Sequence, residues 1–299
     1  MDKMRVFIVT HDRQKALHDT LTGLFNSDFS GLGGTKVTVI NNHSRFQLAD
    51  EFKGRVSVLH NMTRPDCSSG NLSESYNQAL VFGFGSLVDP QSEIVVTLQD
   101  DCGLAANWVE SLLKLHERFT FIVGEFGDNI VSYMPEAVRQ IGMWDENFCG
   151  IQHKEADYWI RALICNKEKS CINDMLHGRL LNNEGTPQLD CRGHHNFRTV
   201  DGELKRLQDD EHHHQIKRHA VRPRDLLRDY FMAKWAHTWV REPESTGWLN
   251  KWPAEFVANP PTQPRNFPVF IRYPQFEKDI EDLAGKNYFL PKGDIYKRR

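Results

Sequence analysis

Two adjacent carboxylates, Asp100 and Asp101, follow directly on the run Ile94-Val95-Val96-Thr97-Leu98-Gln99. An unbroken run of β-branched and apolar residues suits a strand covered on both faces. Open α/β sheets bind ligands just beyond the carboxyl ends of their strands, so the two acids stand where a ligand is expected. Carboxylates this close repel each other unless a positive charge accompanies them. A divalent cation carrying phosphates meets that need. The plainer alternative is that Asp101 starts the helix expected near Asn107 and Trp108 as its N-cap. A second pair of acids, Glu155 and Asp157, opens the stretch Lys154–Ala162, which reads as a helix. Acids in a first turn also complement the helix dipole without any chemical role.

The elements that position these acids are legible from hydrophobic spacing. Arg5–Thr10 reads as a first strand ending at Thr10-His11-Asp12, and Asp12 can cap the helix carrying Leu17, Leu21, Leu24 and Phe25. Gly31–Gly34 breaks that helix. Lys36–Ile40 is a strand ending in Asn41-Asn42-His43-Ser44, and Val56–Leu59 is a third. Gly70–Ser73 opens a helix with Leu72, Tyr76, Ala79 and Leu80 on one face, and Trp108, Leu112 and Leu115 mark another. Ile130–Tyr133 reads as a strand, and Pro135 starts a short helix. Strand and helix alternate over the first 120 or so residues, the pattern of a mostly parallel sheet with helices on both faces. Each strand ends in polar residues, where a nucleotide site belongs. No Gly-x-Gly-x-x-Gly follows the first strand and no P-loop occurs, which disfavours dinucleotide enzymes and P-loop NTPases. A nucleotide held without such a loop needs another charge carrier, and a metal at Asp100-Asp101 would supply it.

Composition narrows the class. The chain has 299 residues and a net charge of -3, so no global basic field holds nucleic acid or membrane. No apolar run reaches the length of a membrane span, and the start of the chain carries no signal-peptide pattern. The six cysteines are scattered without a Cys-x-x-Cys pair, which points to free thiols in a reducing, cytoplasmic compartment.

Several separated pieces agree in order with one family. The chain resembles the GT-A nucleotide-sugar glycosyltransferases, specifically the inverting family 2 enzymes, over roughly residues 5 to 235. Phe7-Ile8-Val9-Thr10-His11-Asp12-Arg13 looks like that family's first strand and exit. Val39-Ile40-Asn41-Asn42-His43-Ser44 is similar to its second strand, with Asn41 where an aspartate is usual. Leu98-Gln99-Asp100-Asp101 resembles its metal-binding region, with Gln99 in place of the first aspartate. Ile141–Phe148 followed by Glu155–Ala162 resembles the segment carrying its catalytic base, and Lys154-Glu155 stands where Glu-Asp is usual. Tyr230, Lys234 and Trp235 look like a Tyr-x-x-x-Lys-Trp feature found after many such domains.

The resemblance implies a GT-A, Rossmann-like α/β fold: a catalytic domain over residues 1–205 (donor half 1–103, acceptor half 104–205) and a C-terminal helix with a Pro/Trp-rich strap over 206–299. It implies a hexosyl- or pentosyltransferase acting with inversion. Asp101 would ligate Mn²⁺ or Mg²⁺, with His194 or His195 completing the shell and His194 preferred. Thr10, His11, Asp12, Asn41, Asn42, Ser73, Asn77, Gln99 and Asp100 would hold a nucleoside diphosphate sugar, a UDP-sugar first among them. Glu155 would be the general base, with Asp157 as the alternative. The acceptor would be a glycan, a lipid-linked sugar, a protein or a modified nucleobase. The tract Asp210–His214 reads as solvated mixed charge, since nothing at a fixed spacing completes a metal site. The locally basic segment from Lys205 to Arg241 reads as an amphipathic helix packed on the catalytic domain, or as a diphosphate clamp, a lid, or a surface for an anionic acceptor such as DNA or phospholipid. Two other readings stay open: transfer to a modified base in DNA, and a GT-A-like domain that binds nucleotide or glycan without turnover.

Overall fold

Strand β1 (Asp2–Thr10) sends Met4, Val6 and Ile8 into one apolar layer and Phe7 and Val9 into the other, as the two-residue period of a strand requires. The first layer receives Leu17, Leu21 and Leu24 of α1 (Gln14–Phe25) and Trp108, Leu112 and Leu115 of α3 (Trp108–His116). The second receives Tyr76, Ala79, Leu80 and Phe84 of α2 (Leu72–Phe84). It also takes Val138 of α4 (Pro135–Ile141) and Tyr158 and Trp159 of α5 (Lys154–Cys165). These features come from a computed structural model describing residues 1–11, 13–29, 32–42, 46–61, 72–124, 127–148, 153–172, 191–194, 197–200 and 203–206, with Leu227, Tyr230, Phe231, Lys234, Phe276 and Asp279.

The sheet between the layers has seven strands. β1 is joined by β2 (Lys36–Asn41), β3 (Val56–His60), β4 (Ser92–Gln99), β6 (Phe121–Val123), β7 (Ile130–Tyr133) and β8 (Ser170–Ile172), in the order β3-β2-β1-β4-β7-β6-β8. β1 to β4 pair in parallel, β7 runs antiparallel to β4 and β6, and β6 pairs in parallel with β8. The expected α/β architecture, a mostly parallel Rossmann-like sheet with helices on both faces, is therefore present. Outside the sheet, β5 (Cys102–Leu104) pairs antiparallel with β9 (Cys191–His194), and β10 (Phe197–Val200) forms a hairpin with β11 (Glu203–Arg206).

Close approach fixes how α2 lies on the sheet. A Cβ at Gly83 would collide with the Val95 side chain on β4, so only glycine allows the helix this near. At the end of α4, Gly142 takes φ 86° and its N–H returns to Val138 O, a backbone that L-residues rarely adopt. The reading of Asp101 as a helix cap is overturned: β5 intervenes, and Asn107 holds the N-cap position of α3. Arg13 precedes α1 in the place expected for Asp12, which lies outside the described residues.

Of the C-terminal segment, Leu227, Phe231 and Phe276 are buried, Phe276 within the second apolar layer, and Asp279 accepts a hydrogen bond from Leu87 N at 2.9 Å. These contacts dock parts of 206–299 onto the sheet domain. The tract Asp210–His214 and the Pro/Trp-rich residues 248–274 lie outside the described residues. Cys102 and Cys171 are buried and Cys165 is half-buried. Among the described residues, no helix is long and apolar enough to cross a membrane.

His116 at the end of α3 makes the fold sensitive to acid. Its Nδ1 lies 2.9 Å from Phe119 O and its Nε2 lies 2.7 Å from Ser132 Oγ. A neutral ring satisfies both, donating to the carbonyl and accepting from the hydroxyl. Burial pushes its pKa down from 6.5 to about 4, against the smaller opposing pull of the Phe119 carbonyl. A depressed histidine stabilises the fold above its unfolded pKa, and that contribution fades as pH falls through the folded value. The protein is therefore expected to lose about 3 kcal/mol of stability between pH 6.5 and 4 through this group, at about 1.4 kcal/mol per pKa unit. Urea denaturation across that range checks it: His116→Gln should flatten the pH dependence, and an unchanged slope would refute the assignment.

Candidate active site

The carboxyl ends of β1, β2 and β4 meet at a cluster of buried polar residues. Thr10 ends β1 and donates from Oγ1 to Asp100 Oδ2 at 2.7 Å. Thr20, on the buried face of α1, donates to the backbone oxygens of Asp100 at 2.8 Å and of Cys102 at 3.1 Å. The turn after β4 is thus held from two sides, side chain by Thr10 and main chain by Thr20. Asp101 is fully buried and Asp100 nearly so. The positive charge that two such acids require is Arg13: its Nη1 lies 2.6 Å from Asp101 Oδ2 and 3.3 Å from Asp100 Oδ1. Burial raises the Asp100 carboxyl to about 6, with Arg13 pulling the other way, the Asp101 charge adding to the rise, and the hydrogen bonds from Thr10 and the His11 backbone opposing it.

Asn41 and Asn42 follow at the end of β2. Asn41 Nδ2 lies 3.1 Å from His60 Nδ1, and Asn42 donates to Ser75 Oγ at 3.0 Å while accepting from Asn61 at 2.9 Å. Asn61 also pairs reciprocally with Gln78 at 2.7 and 3.0 Å. Amide ladders of this kind hold a polar strand end at fixed spacing. Ser73 and Asn77, expected at the donor, bond to the loop after α4. Ser73 donates to Phe148 O at 3.0 Å, and Asn77 donates to Trp144 O at 2.9 Å and Glu146 Oε1 at 2.8 Å while accepting from Trp144 N at 2.8 Å. They anchor the 144–148 loop onto α2.

Gln99 leads from the β4 tip toward the second pair of acids. It donates to Asp128 Oδ1 at 2.8 Å; Tyr76 donates to Asp128 Oδ2 at 2.6 Å; Lys154 Nζ lies 2.9 Å from the same oxygen. Lys154 also lies 3.2 Å from Glu155 Oε2. Burial works against the Lys154 charge, yet Asp128 and Glu155 hold its ammonium above the ordinary lysine range. Burial and the Asp128 charge together push the Tyr76 hydroxyl well up. Glu155, 9% exposed, is therefore tied through Lys154, Asp128 and Gln99 to the strand end that carries Asp100.

Asp157 sits differently. It is fully buried, with Oδ1 at 2.7 Å from Lys234 Nζ and Oδ2 at 3.0 Å from Arg161 Nε. Arg161 also donates from Nη1 to Ile141 O at 3.1 Å and Met143 O at 2.6 Å, tying α5 to the aromatic loop. Lys234 and Tyr230 reach Asp145 Oδ2, each at 2.8 Å. Burial alone would raise the Asp145 carboxyl, but Lys234, Tyr230 and Asn147 hold it below the usual range. Phe148 packs edge-on against Tyr230, and His153, with φ 69° just before α5, stacks on Phe231. Asp157 is thus held between Arg161 and Lys234, whereas Glu155 is joined through Lys154 to Asp128 and Gln99.

The donor chemistry fits a hard divalent cation. Mg²⁺ and Mn²⁺ are commonly held by one or two protein carboxylates, with water and phosphate oxygens in the other positions. Asp100 and Asp101 offer such a pair. Register places the His194 backbone opposite Cys102, one residue from Asp101; His195 lies outside the described residues. Among the described residues, no three His, Cys, Asp or Glu side chains converge to hold a metal by themselves.

Sequence reasoning missed Thr20, Asp128 and the part Arg13 plays. Thr20 had a signal, a small polar residue on the otherwise apolar face formed by Leu17, Leu21 and Leu24. Asp128 had none, because it lies in a turn brought to the β4 tip only by the pairing of β7.

No protein-family model and no curated protein matches the sequence. Among solved structures the chain is similar to S. aureus TarS 1-349, at 12% identity over 56% of this chain and 57% of that one, with a TM-score of 0.41. It is also similar to the mannosyltransferase PcManGT from Pyrobaculum calidifontis in complex with GDP-Man and Mn²⁺, at 11% identity over 74% and 62% of the two chains, TM-score 0.42. A third is GalNAc-T7 with UDP, GalNAc and Mn²⁺, at 13% identity over 53% and 41%, TM-score 0.35. The matched region spans less than two thirds of each of these chains.

Proposed function

We propose that the chain is a glycosyltransferase that moves a hexosyl or pentosyl group from a nucleoside diphosphate sugar to an acceptor hydroxyl with inversion. The observation that carries this reading is the continuous link from the β4 tip to Glu155 through Gln99, Asp128 and Lys154. Gln99 is the chain neighbour of Asp100, so an acid pair suited to a metal diphosphate and a separate carboxylate would be held in relation to each other, the minimum set for inverting transfer.

Asp101 would hold Mn²⁺ or Mg²⁺, with Asp100 and His194 beside it; when bound, the cation offsets the charge that grows on the departing diphosphate. Thr10 and Thr20 keep Asp100 in place. Asn41 and Asn42 line the β2 end for the nucleoside, UDP being the first donor to test. Glu155 takes the proton of the attacking hydroxyl, and Lys154 orients its carboxylate by charge and hydrogen bond. Glycans, lipid-linked sugars, proteins and modified nucleobases are acceptor classes for assay.

Thermal shift with a panel of nucleoside diphosphates and nucleotide sugars, with and without Mn²⁺, tests the donor site. A ligand present at about 100 times its Kd raises stability by about 2.7 kcal/mol, and Asp101→Ala is expected to abolish the Mn²⁺-dependent part. A shift that survives Asp101→Ala would place the cation elsewhere. A second reading, a nucleotide- or glycan-binding domain without turnover, gains support from Arg13 lying on both acids. It predicts a metal-independent shift and no release of nucleoside diphosphate in the presence of acceptor.

A further inference from the structure

We infer that Arg13 is the resident counter-ion of Asp100 and Asp101, that a divalent cation must displace it, and that this exchange makes metal and nucleoside diphosphate bind synergistically. The inference rests on the reading of Asp101 as the metal ligand. The guanidinium spans both carboxylates at 2.6 and 3.3 Å. A Mg²⁺ ion takes carboxylate oxygens at about 2.0–2.1 Å, so a cation bound to the same pair competes for the space and the charge that Nη1 now uses. Two positive groups in a mostly desolvated site repel strongly. Their mutual presence on one acid pair is therefore disfavoured.

Exposure and anchoring show that the exchange is open to Arg13. Its side chain is 18% exposed, against 7% and 0% for the two acids, so the arginine lies on the solvent side of the pair. Arg13 precedes the first residue of α1, and a swing of its side chain leaves the Leu17 N–H to Arg13 O bond at 3.0 Å intact. Asp100 keeps its Thr10 bond, and its backbone keeps Thr20, when Arg13 departs. Arg13 thus supplies charge to the pair more than position.

The exchange has a thermodynamic consequence. Metal arriving alone takes up both carboxylate charges and leaves the displaced guanidinium without a counter-charge beside it. Metal arriving with a diphosphate brings anionic oxygens for both. Each ligand should then tighten the other, and by linkage the factor is the same in both directions.

The test is a Mn²⁺ titration followed by the electron paramagnetic resonance of free Mn²⁺, on the full chain, with and without UDP. Arg13→Gln is expected to bind Mn²⁺ alone about 10-fold more tightly than the native protein, with the UDP-dependent gain reduced by the same factor, within the 5–150-fold range usual for coupled sites; the gain from phosphate oxygens on the cation itself remains. Arg13→Lys retains a charge, but on a shorter-reaching, more strongly hydrated group, and should fall between the two; it keeps the test decisive if the glutamine variant does not fold. Equal Mn²⁺ affinity without nucleotide in all three proteins overturns the inference. Tight binding in Arg13→Gln that persists after adding Asp101→Ala shows instead that the metal lies elsewhere, which defeats the metal assignment and this inference with it. Weak binding to the native protein with a large UDP effect, smaller in Arg13→Gln, supports both.

Discussion

Glu155→Gln is expected to slow sugar transfer by about 10²–10⁴-fold, the usual worth of a positioned general base, while nucleoside diphosphate binding stays close to native. The amide is nearly isosteric but cannot take a proton from the acceptor hydroxyl. Lys154 loses one of its two carboxylate partners in this variant and keeps Asp128 at 2.9 Å, so the strand-end network should survive. Single-turnover transfer and thermal shift with Mn²⁺ and UDP separate the two effects. Full transfer rates in Glu155→Gln would remove the residue from the role. Asp157→Asn makes the contrast: a carboxylate held by Lys234 and Arg161 should report chiefly on stability.

Lys234→Met should lower the unfolding free energy by about 3–5 kcal/mol, the range for breaking a buried ion pair from one side. Lys234 is fully buried and serves two carboxylates, Asp145 and Asp157, on two different elements. Its loss leaves both with a charge deficit in a dry site. Methionine retains most of the volume, so the effect reads charge and not a cavity. The midpoint of urea denaturation, with an unchanged m-value, measures it. A shift under about 1 kcal/mol, typical of a surface pair, would mean that the C-terminal segment does not hold this loop.

The long, strongly patterned elements were readable from the sequence because they obey one period each. Leu17, Leu21 and Leu24 recur as a helix requires, and Ile94–Leu98 is apolar throughout because both faces of β4 are covered. The short strands were not. β6 and β8 have three residues each, too few for a period to emerge; β6 forms on the edge of β7, and β8 on the edge of β6. The acid pair was legible as a site demanding positive charge, but the sequence pointed to a metal, and the structure adds an arginine three residues beyond the end of β1. The bonds of Ser73 and Asn77 to the aromatic loop were not legible, since nothing local reveals which polar surface folds back over a helix. Lys154 was visible as a departure from the family pattern; its meaning emerged only once Asp128 stood next to it.

The ion pairs of Lys234 tie the middle of the molecule to a residue translated late. Domains generally begin to fold from the amino terminus as they leave the ribosome. On a nascent chain the seven strands, complete by Ile172, are all available well before residue 234 emerges. Until then Asp145 and Asp157 lack their shared cation. A prematurely terminated product would carry a formed sheet with an acidic wound beside α5, the kind of half-finished species that chaperones retain and proteases remove. Full-length synthesis is in this way written into the loop that precedes the proposed base.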